Sequence, residues 1–231
     1  MAKIDVKCRY CNNTEEVIKS GYSISKQQRY QCKRCNRYFQ LEYINNASKP
    51  GVKEQIVEMS INGSGVRDTV RVLKVGINTV IRVLKKSSIK KPINHSISTT
   101  EVIIAPEIDE QWSYVQNKSR QRWLWYALDK ISLKVVAYTF GTRCDSTLES
   151  LLKKLENFKV TFYYTDGWGS YARLLDPKKH IISKKYTQRI ERSNLNLRTR
   201  CKRLARKTIC FSKSLDIHDK VIGTLIERIA F

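Results

Sequence analysis

Before residue 46 the chain shows no sustained helical period, and its one regular feature is a candidate hairpin, Glu16 to Lys19 and Gln28 to Gln31 about a turn at Ser20-Gly21. After the break at Ser48-Lys49-Pro50-Gly51 the apolar positions become helical. Val52, Ile56, Val57 and Met59 predict one helix, which Asn62-Gly63-Ser64-Gly65 ends, and Val66, Val70 and Leu73 predict a second. A turn at Val75-Gly76 and Asn78 as N-cap predict a third helix through Lys86, with Val80, Ile81 and Leu84 as its apolar face. From 87 to 101 the period is lost among Ser, Lys, Asn and Thr around Pro92, which reads as a linker.

Beyond the linker, strand-like runs dominate. Ile108–Val115, Arg122–Leu128 and Leu133–Phe140 predict three consecutive strands. Leu148, Leu151, Leu152 and Leu155 then predict an amphipathic helix over 147–155. Val160–Tyr164 is a further strand, Gly169–Leu175 a short helix and His180–Ser183 a last strand. A basic helix follows, whose buried stripe would be Ile190, Leu197, Cys201 and Leu204. Three strands, then helix, strand, helix, strand, helix, describe a mixed sheet with helices on its faces, the element order of a ribonuclease H-like domain.

Charge narrows the class of partner. The 231 residues hold 44 Lys and Arg against 21 Asp and Glu, a net charge of +23 that attracts a phosphate backbone. A polar start without a signal-peptide pattern, and no apolar run long enough to span a bilayer, lead us to expect a cytoplasmic protein without a membrane partner. In that compartment seven cysteines do not form a disulfide framework. Cys8/Cys11 and Cys32/Cys35 are two C-x-x-C pairs twenty residues apart, the spacing of a tetrahedral zinc site with four thiolates; one pair alone would also suit redox chemistry. A module this short has little core, so the metal would supply much of its folding energy.

Three short helices with a glycine-containing turn before the third fit a helix-turn-helix, which would present Asn78, Thr79, Arg82 and Lys85 to the major groove. A small bundle with a solvated basic face has the same periodicity; the basic composition favours DNA. In the C-terminal domain, the first and fourth strands would lie side by side and bring Asp109 towards Asp166, with Glu191 approaching from the later helix. Such oxygen ligands suit Mg2+ and an in-line displacement at phosphorus. Arg198, seven residues after Glu191, returns to the same helical edge and suits a phosphate. Taken singly, Asp166 reads as a turn residue, Asp109 and Glu110 as a solvated pair, and Glu191 as a partner for neighbouring arginines. His95, His180 and His218 lack ligand-like spacing, and Cys144, Cys201 and Cys210 read as small apolar residues.

Five strings beyond the cysteine pairs, Glu107–Tyr114 (EIDEQWSY), Lys118–Trp123 (KSRQRW), Thr165–Trp168 (TDGW), Lys185–Arg198 (KYTQRIERSNLNLR) and Phe211–Gly223 (FSKSLDIHDKVIG), resemble the insertion-sequence-1 family of bacterial and archaeal transposases. The resemblance runs from Cys8 nearly to the C-terminus. It implies that Asp109, Asp166 and Glu191 are the DDE acids, with Arg198 as the basic residue after the glutamate. Many members are made by frameshifting between two reading frames, whereas this chain is uninterrupted. Ser193 departs from the family pattern, where histidine is frequent; if that histidine assists the chemistry, this copy is weaker.

The expected protein is a DNA transposase of mixed α+β multidomain fold, with a zinc ribbon at 1–46, a helix-turn-helix at 49–86, a linker at 87–101 and a ribonuclease H-like α/β domain with a mixed sheet at 102–231. Its expected cofactors are structural Zn2+ and two Mg2+ ions, with Mn2+ as a substitute, and no small-molecule cofactor. Its expected partners are double-stranded DNA, as terminal inverted repeats and target, and further copies of itself as a homo-oligomer on that DNA; it would associate with the prokaryotic nucleoid when bound. Two other readings stay open at this point: a DNA-binding transcriptional regulator using residues 1–86, and a ribonuclease H-like nuclease without strand transfer.

Overall fold

The cysteine pairs organise the first unit. In the computed structural model, which describes residues 5–87 and 103–229, the hairpin between them is formed by β1 (Val17–Tyr22) and β2 (Gln28–Cys32). A third antiparallel strand, β3 (Arg37–Gln40), follows the second pair. In each knuckle the residue after the second cysteine, Asn12 (φ 60) or Asn36 (φ 52), takes the left-handed conformation that asparagine tolerates better than most residues. The buried interior is small: Cys8, Cys32 and Phe39.

Helices α1 (Val52–Ile61), α2 (Val66–Leu73) and α3 (Ile77–Lys86) follow the predicted apolar pattern. One boundary differs: Gly76 is the N-cap of α3, its carbonyl accepting from the N–H groups of Thr79 and Val80, so Asn78 lies inside the first turn. The linker expected over 87–101 falls, except for Ser87, outside the described residues.

The C-terminal sheet is built on β5 (Pro106–Tyr114), β6 (Gln121–Asp129) and β7 (Val135–Gly141), an antiparallel meander. Helix α4 (Asp145–Leu155) follows. The strand expected over 160–164 is broken in two. β8 (Lys159–Val160) leaves to pair with the short β4 (Ile103–Ile104), where Thr161 donates from both N–H and hydroxyl to the Ile104 carbonyl. β9 (Tyr163–Thr165) joins the main sheet instead, followed by α5 (Gly169–Leu174), β10 (His180–Ile182) and α6 (Gln188–Arg200). The order β10-β9-β5-β6-β7, parallel on the β9 side and antiparallel on the β6 side, makes a mixed sheet. Cys201 and Leu204 are buried as expected, but in the turns after α6 ends.

Period-two alternation divides β5 between two cores. Ile108 faces a cluster with Trp125, Ala137, Leu148, Leu151 and Tyr171. The opposite face of the sheet contributes Leu124, Tyr126 and Tyr138 to a cluster with Ile190 and Leu197 of α6 and with α7 (Leu215–Ile229), a helix outside the sequence-based element list. Val52, Ile56, Val80 and Leu84 of the three-helix module belong to that same cluster. The helical module is therefore packed on α7, and Arg203 joins the two parts through hydrogen bonds to the Ser60 carbonyl (3.2 Å) and hydroxyl (2.8 Å).

Candidate active site and nucleic-acid interface

The four cysteines converge. Cys8 Sγ lies 3.6 Å from Cys35 Sγ and Cys11 Sγ 3.5 Å from Cys32 Sγ, and all four fall within 4.8 Å of one another. Tetrahedral Zn–S bonds of about 2.3 Å set sulfur atoms about 3.8 Å apart, so the cluster is compatible with zinc. Burial opposes ionisation of Cys8, but the N–H groups of Tyr10 and Cys11 together with the thiols of Cys11 and Cys35 outweigh it and bring the thiol down to about 6.

Of the four residues expected to read DNA, Asn78, Arg82 and Lys85 are exposed on α3 and Thr79 is half-buried. Thr79 and Arg82 line a cleft of about 1130 Å³ between the ribbon and helices α1, α3 and α7, which also takes in Arg9, Tyr10, Tyr43, Lys53 and Arg228 along with the acids Glu54 and Glu227. Cations and aromatic rings on one concave face suit a nucleic-acid backbone.

The parallel pairing of β9 with β5, Glu107 opposite Tyr164, is what brings two distant acids together. Asp109 comes from the middle of β5 and Asp166 from just past β9, and with Glu110 they form a cluster whose carboxylate oxygens lie within 4.8 Å of one another. β5 is a central strand, so Asp109 and Glu110 are half-buried rather than solvated. Burial first, then the charges of Glu110 and Asp166, push the Asp109 carboxyl up to about 7. Burial also raises Glu110, against the pull of its partners.

Those partners separate the roles of the three acids. Glu110 is held by the Arg143 guanidinium (2.6 Å) and by the Tyr171 hydroxyl (2.8 Å). Asp109 accepts from its neighbour's N–H at Oδ1 (2.8 Å) and from the Asn194 amide at Oδ2 (2.6 Å), leaving one lone pair on each oxygen free. Asp166 keeps a turn role as well, accepting from Trp168 N–H at 3.0 Å. Arg143 stacks over the rings of Trp123 and Trp168 and so roofs this side of the cluster.

Glu191 is exposed in the first turn of α6 and is not among the three clustered acids. It stands one turn before Asn194, which does touch Asp109. Arg198 is half-buried; burial and then the charge of Arg206 lower its pKa while the Asp109 carboxylate pulls the other way, and its Nε is buried with no hydrogen-bond partner among the described residues. Gln111, two residues along the same face of β5 from Asp109, is fully buried, and both its side-chain polar atoms lack a partner among the described residues. Sequence reasoning missed Glu110, Arg143, Tyr171 and Asn194. Asn194 alone carried a local signal, its spacing of three from Glu191 on one helical face.

The other residues singled out are structural or polar. His180 hydrogen-bonds Thr165 at 2.6 Å and His218 is buried in α7; His95 lies outside the described residues. Cys144 is not apolar in its setting: hydroxyls of Ser146, Thr142 and Thr147 surround it and lower the thiol to about 6. No helix among the described residues is long and apolar enough to cross a membrane.

Comparison with known proteins accounts for both halves of this arrangement. Residues 102–231 match the family model described as IS1 transposase, and residues 43–88 the one described as InsA C-terminal domain. The protein InsB of insertion element iso-IS1n from Shigella dysenteriae is 57% identical over 125 residues, 54% of this chain and 95% of that protein. InsB of insertion element IS1 from Shigella flexneri is 57% identical over 122 residues, 53% of this chain and 93% of its own length. InsB of insertion element IS1 9 from Escherichia coli strain K12 is 51% identical over 142 residues, 59% of this chain and 85% of its own length.

Proposed function

Because the chain belongs to the IS1 transposase family, with a DNA-binding helix-turn-helix and a DDE domain, we propose that Asp109, Asp166 and Glu191 hold two Mg2+ ions, or Mn2+ in their place, for DNA cleavage and strand transfer. The observation that carries the reading is the approach of Asp109 and Asp166, fifty-seven residues apart in sequence, across paired parallel strands. Half-buried carboxylates so close repel one another, in a chain whose net charge is +23. Hard oxygen donors with free lone pairs fit Mg2+. Divalent cations there would activate the attacking hydroxyl and stabilise the leaving oxygen.

The chain's own residues supply the rest. Asn194 and the Glu110 N–H aim the Asp109 carboxylate, and Arg143 neutralises Glu110 so that it does not compete for the cation. Arg198 offers its guanidinium fork to the phosphate beside Asp109. The domain is of ribonuclease H-like type, a three-stranded meander extended by two parallel strands with helices on both faces. Zinc bound by Cys8, Cys11, Cys32 and Cys35 folds the ribbon at 1–46. The ribbon and the helices at 49–86, through Asn78, Thr79, Arg82 and Lys85, hold the terminal inverted repeats, and residues 102–231 carry the chemistry. Joining two ends requires at least two copies of the chain on one DNA, in the cytoplasm at the nucleoid.

The experiment is the purified chain on DNA bearing the element's ends, with Mg2+ and then with chelator. Asp109→Asn, Asp166→Asn and Glu191→Gln should each stop cleavage while end binding persists. Full cleavage by any of the three would remove that acid from the set. Joined products, as opposed to nicked ends alone, separate a transposase from a nuclease that only hydrolyses.

A further inference from the structure

Helix α6 begins without a cap of its own. Thr187, its N-cap residue, turns its hydroxyl away to the Lys184 carbonyl (3.3 Å) and makes no side-chain cap bond. The first N–H groups of a helix have no partner inside it, and burying them unpaired is costly. Here the partner comes from another element: the carboxylate of Glu107, eighty-three residues earlier on β5, accepts from Ile190 N–H at 2.9 Å.

Glu107 is 1% exposed, so its charge must be met inside the protein. Burial raises the Glu107 pKa, and the Ile190 N–H at the positive end of the helix dipole, with the charges of Lys130 and Arg189, offsets part of that rise. The contact has consequences on both sides. Ile190 is followed directly by Glu191, and Glu107 stands two residues before Asp109 on the same face of the strand.

A second fastening repeats the first one turn further on. Asn194 donates to Asp109 at 2.6 Å, and Tyr126, the cross-strand partner of Asp109 on β6, sets its hydroxyl 3.1 Å from the Ile190 carbonyl and 3.0 Å from the Asn194 side-chain oxygen. Tyr126 is fully buried, so its hydroxyl meets α6 inside the protein. Glu107, Tyr126 and Asn194 thus tie α6 to the two central strands at successive turns.

We propose that Glu107, together with Tyr126 and Asn194, is a positioning device that sets α6, and with it Glu191 and Arg198, against Asp109; this rests on the reading of Asp109, Asp166 and Glu191 as the metal-holding acids. Glu107 touches no substrate in this scheme. It acts through the helix, so its carboxylate can be replaced by a neutral acceptor of the same shape.

The test uses the full chain, Mn2+ binding read by electron paramagnetic resonance, and cleavage of end-bearing DNA as a function of Mn2+ concentration. Glu107→Ala should weaken Mn2+ binding by about tenfold and raise the Mn2+ needed for half-maximal cleavage by a similar factor, with the affinity for end DNA unchanged. Glu107→Gln, which keeps an acceptor for the Ile190 N–H, should restore both to within about threefold of the parent chain. Tyr126→Phe, which keeps the ring, should give a smaller loss of the same kind and serves if Glu107→Ala does not fold. Should Glu107→Gln lose Mn2+ as completely as Glu107→Ala, Glu107 acts by charge and the positioning role falls. Binding lost in Asp109→Asn but unchanged in Glu107→Ala and Tyr126→Phe would overturn this inference alone. Binding that Asp109→Asn leaves unchanged would overturn the metal reading and the inference with it.

Discussion

Arg203 grips Ser60 across 143 residues of chain, donating to its carbonyl from Nε and to its hydroxyl from Nη2, while Nη1 reaches Ser212 at 3.0 Å. Ser60 ends the first helix of the DNA-binding module and Ser212 precedes α7, so one guanidinium fastens the module to the catalytic domain. Arg203→Ala should lower the unfolding free energy by about 2–3 kcal/mol, because two buried hydroxyls and a carbonyl lose a charged partner. Arg203→Lys should recover little of it, since an ammonium cannot reproduce the planar fork. Urea unfolding measures both. A loss below about 0.5 kcal/mol would show the grip to be incidental.

Loss of the zinc proposed for the ribbon should act locally. Cys8→Ser, or treatment with a strong chelator, should release one zinc per chain and unfold the segment before residue 46, whose buried interior is otherwise Cys8, Cys32 and Phe39. End-DNA affinity should fall by about tenfold or more, while the tryptophan signal of the C-terminal domain stays native. Zinc release is read with a colorimetric chelator and affinity by fluorescence anisotropy. End binding that survives complete zinc loss would take the ribbon out of DNA recognition.

His218 sets a pH dependence whose sign follows from its hydrogen bonds. Ser113 donates to the Arg122 carbonyl, so His218 Nε2 donates to Ser113 (3.0 Å) and Nδ1 accepts from Ser212 (2.8 Å), which fixes a neutral imidazole. Burial, then the charges of Arg203 and Arg122, lower its pKa to about 3. Between that value and the ordinary imidazole value of 6.5 the unfolded chain holds a proton that the folded one does not. Stability from this residue is therefore complete above the unfolded value and is lost as pH falls below it. Going from about pH 6 to about pH 5, the parent chain should lose about 1 kcal/mol more than His218→Gln in urea unfolding. Equal losses would mean that His218 is protonated in the folded chain.

What the sequence made legible was whatever depends on neighbours along the chain. The cysteine pairs needed only two tight turns, and the apolar spacing of the first three helices was local, so both were readable. The approach of Asp109 to Asp166 followed from element order, because a parallel strand after a crossover tends to lie beside an earlier one. The fastening of α6 was not readable, since Thr187 is an ordinary capping residue by type and only tertiary structure turns its hydroxyl away and brings Glu107 in. Glu110 was hidden for a similar reason: its partners Arg143 and Tyr171 lie thirty-three and sixty-one residues further on. Helix α7 did have a readable stripe in Ile217, Val221, Ile222, Leu225 and Ile226, but what that stripe covers is split between two modules.

That split has a consequence for the order in which the protein can be assembled on the ribosome. Helix α7 comes after every other described element, yet Val221, Ile222, Leu225 and Ile226 complete the interior that Val52, Ile56, Val80 and Leu84 begin. During synthesis the first three helices emerge with their apolar side uncovered and stay so until α7 is released. For that interval the nascent chain has its reading helices but not yet the joint that aligns them with the catalytic strands, and α7 acts as the latch that couples a DNA-binding fragment to those strands.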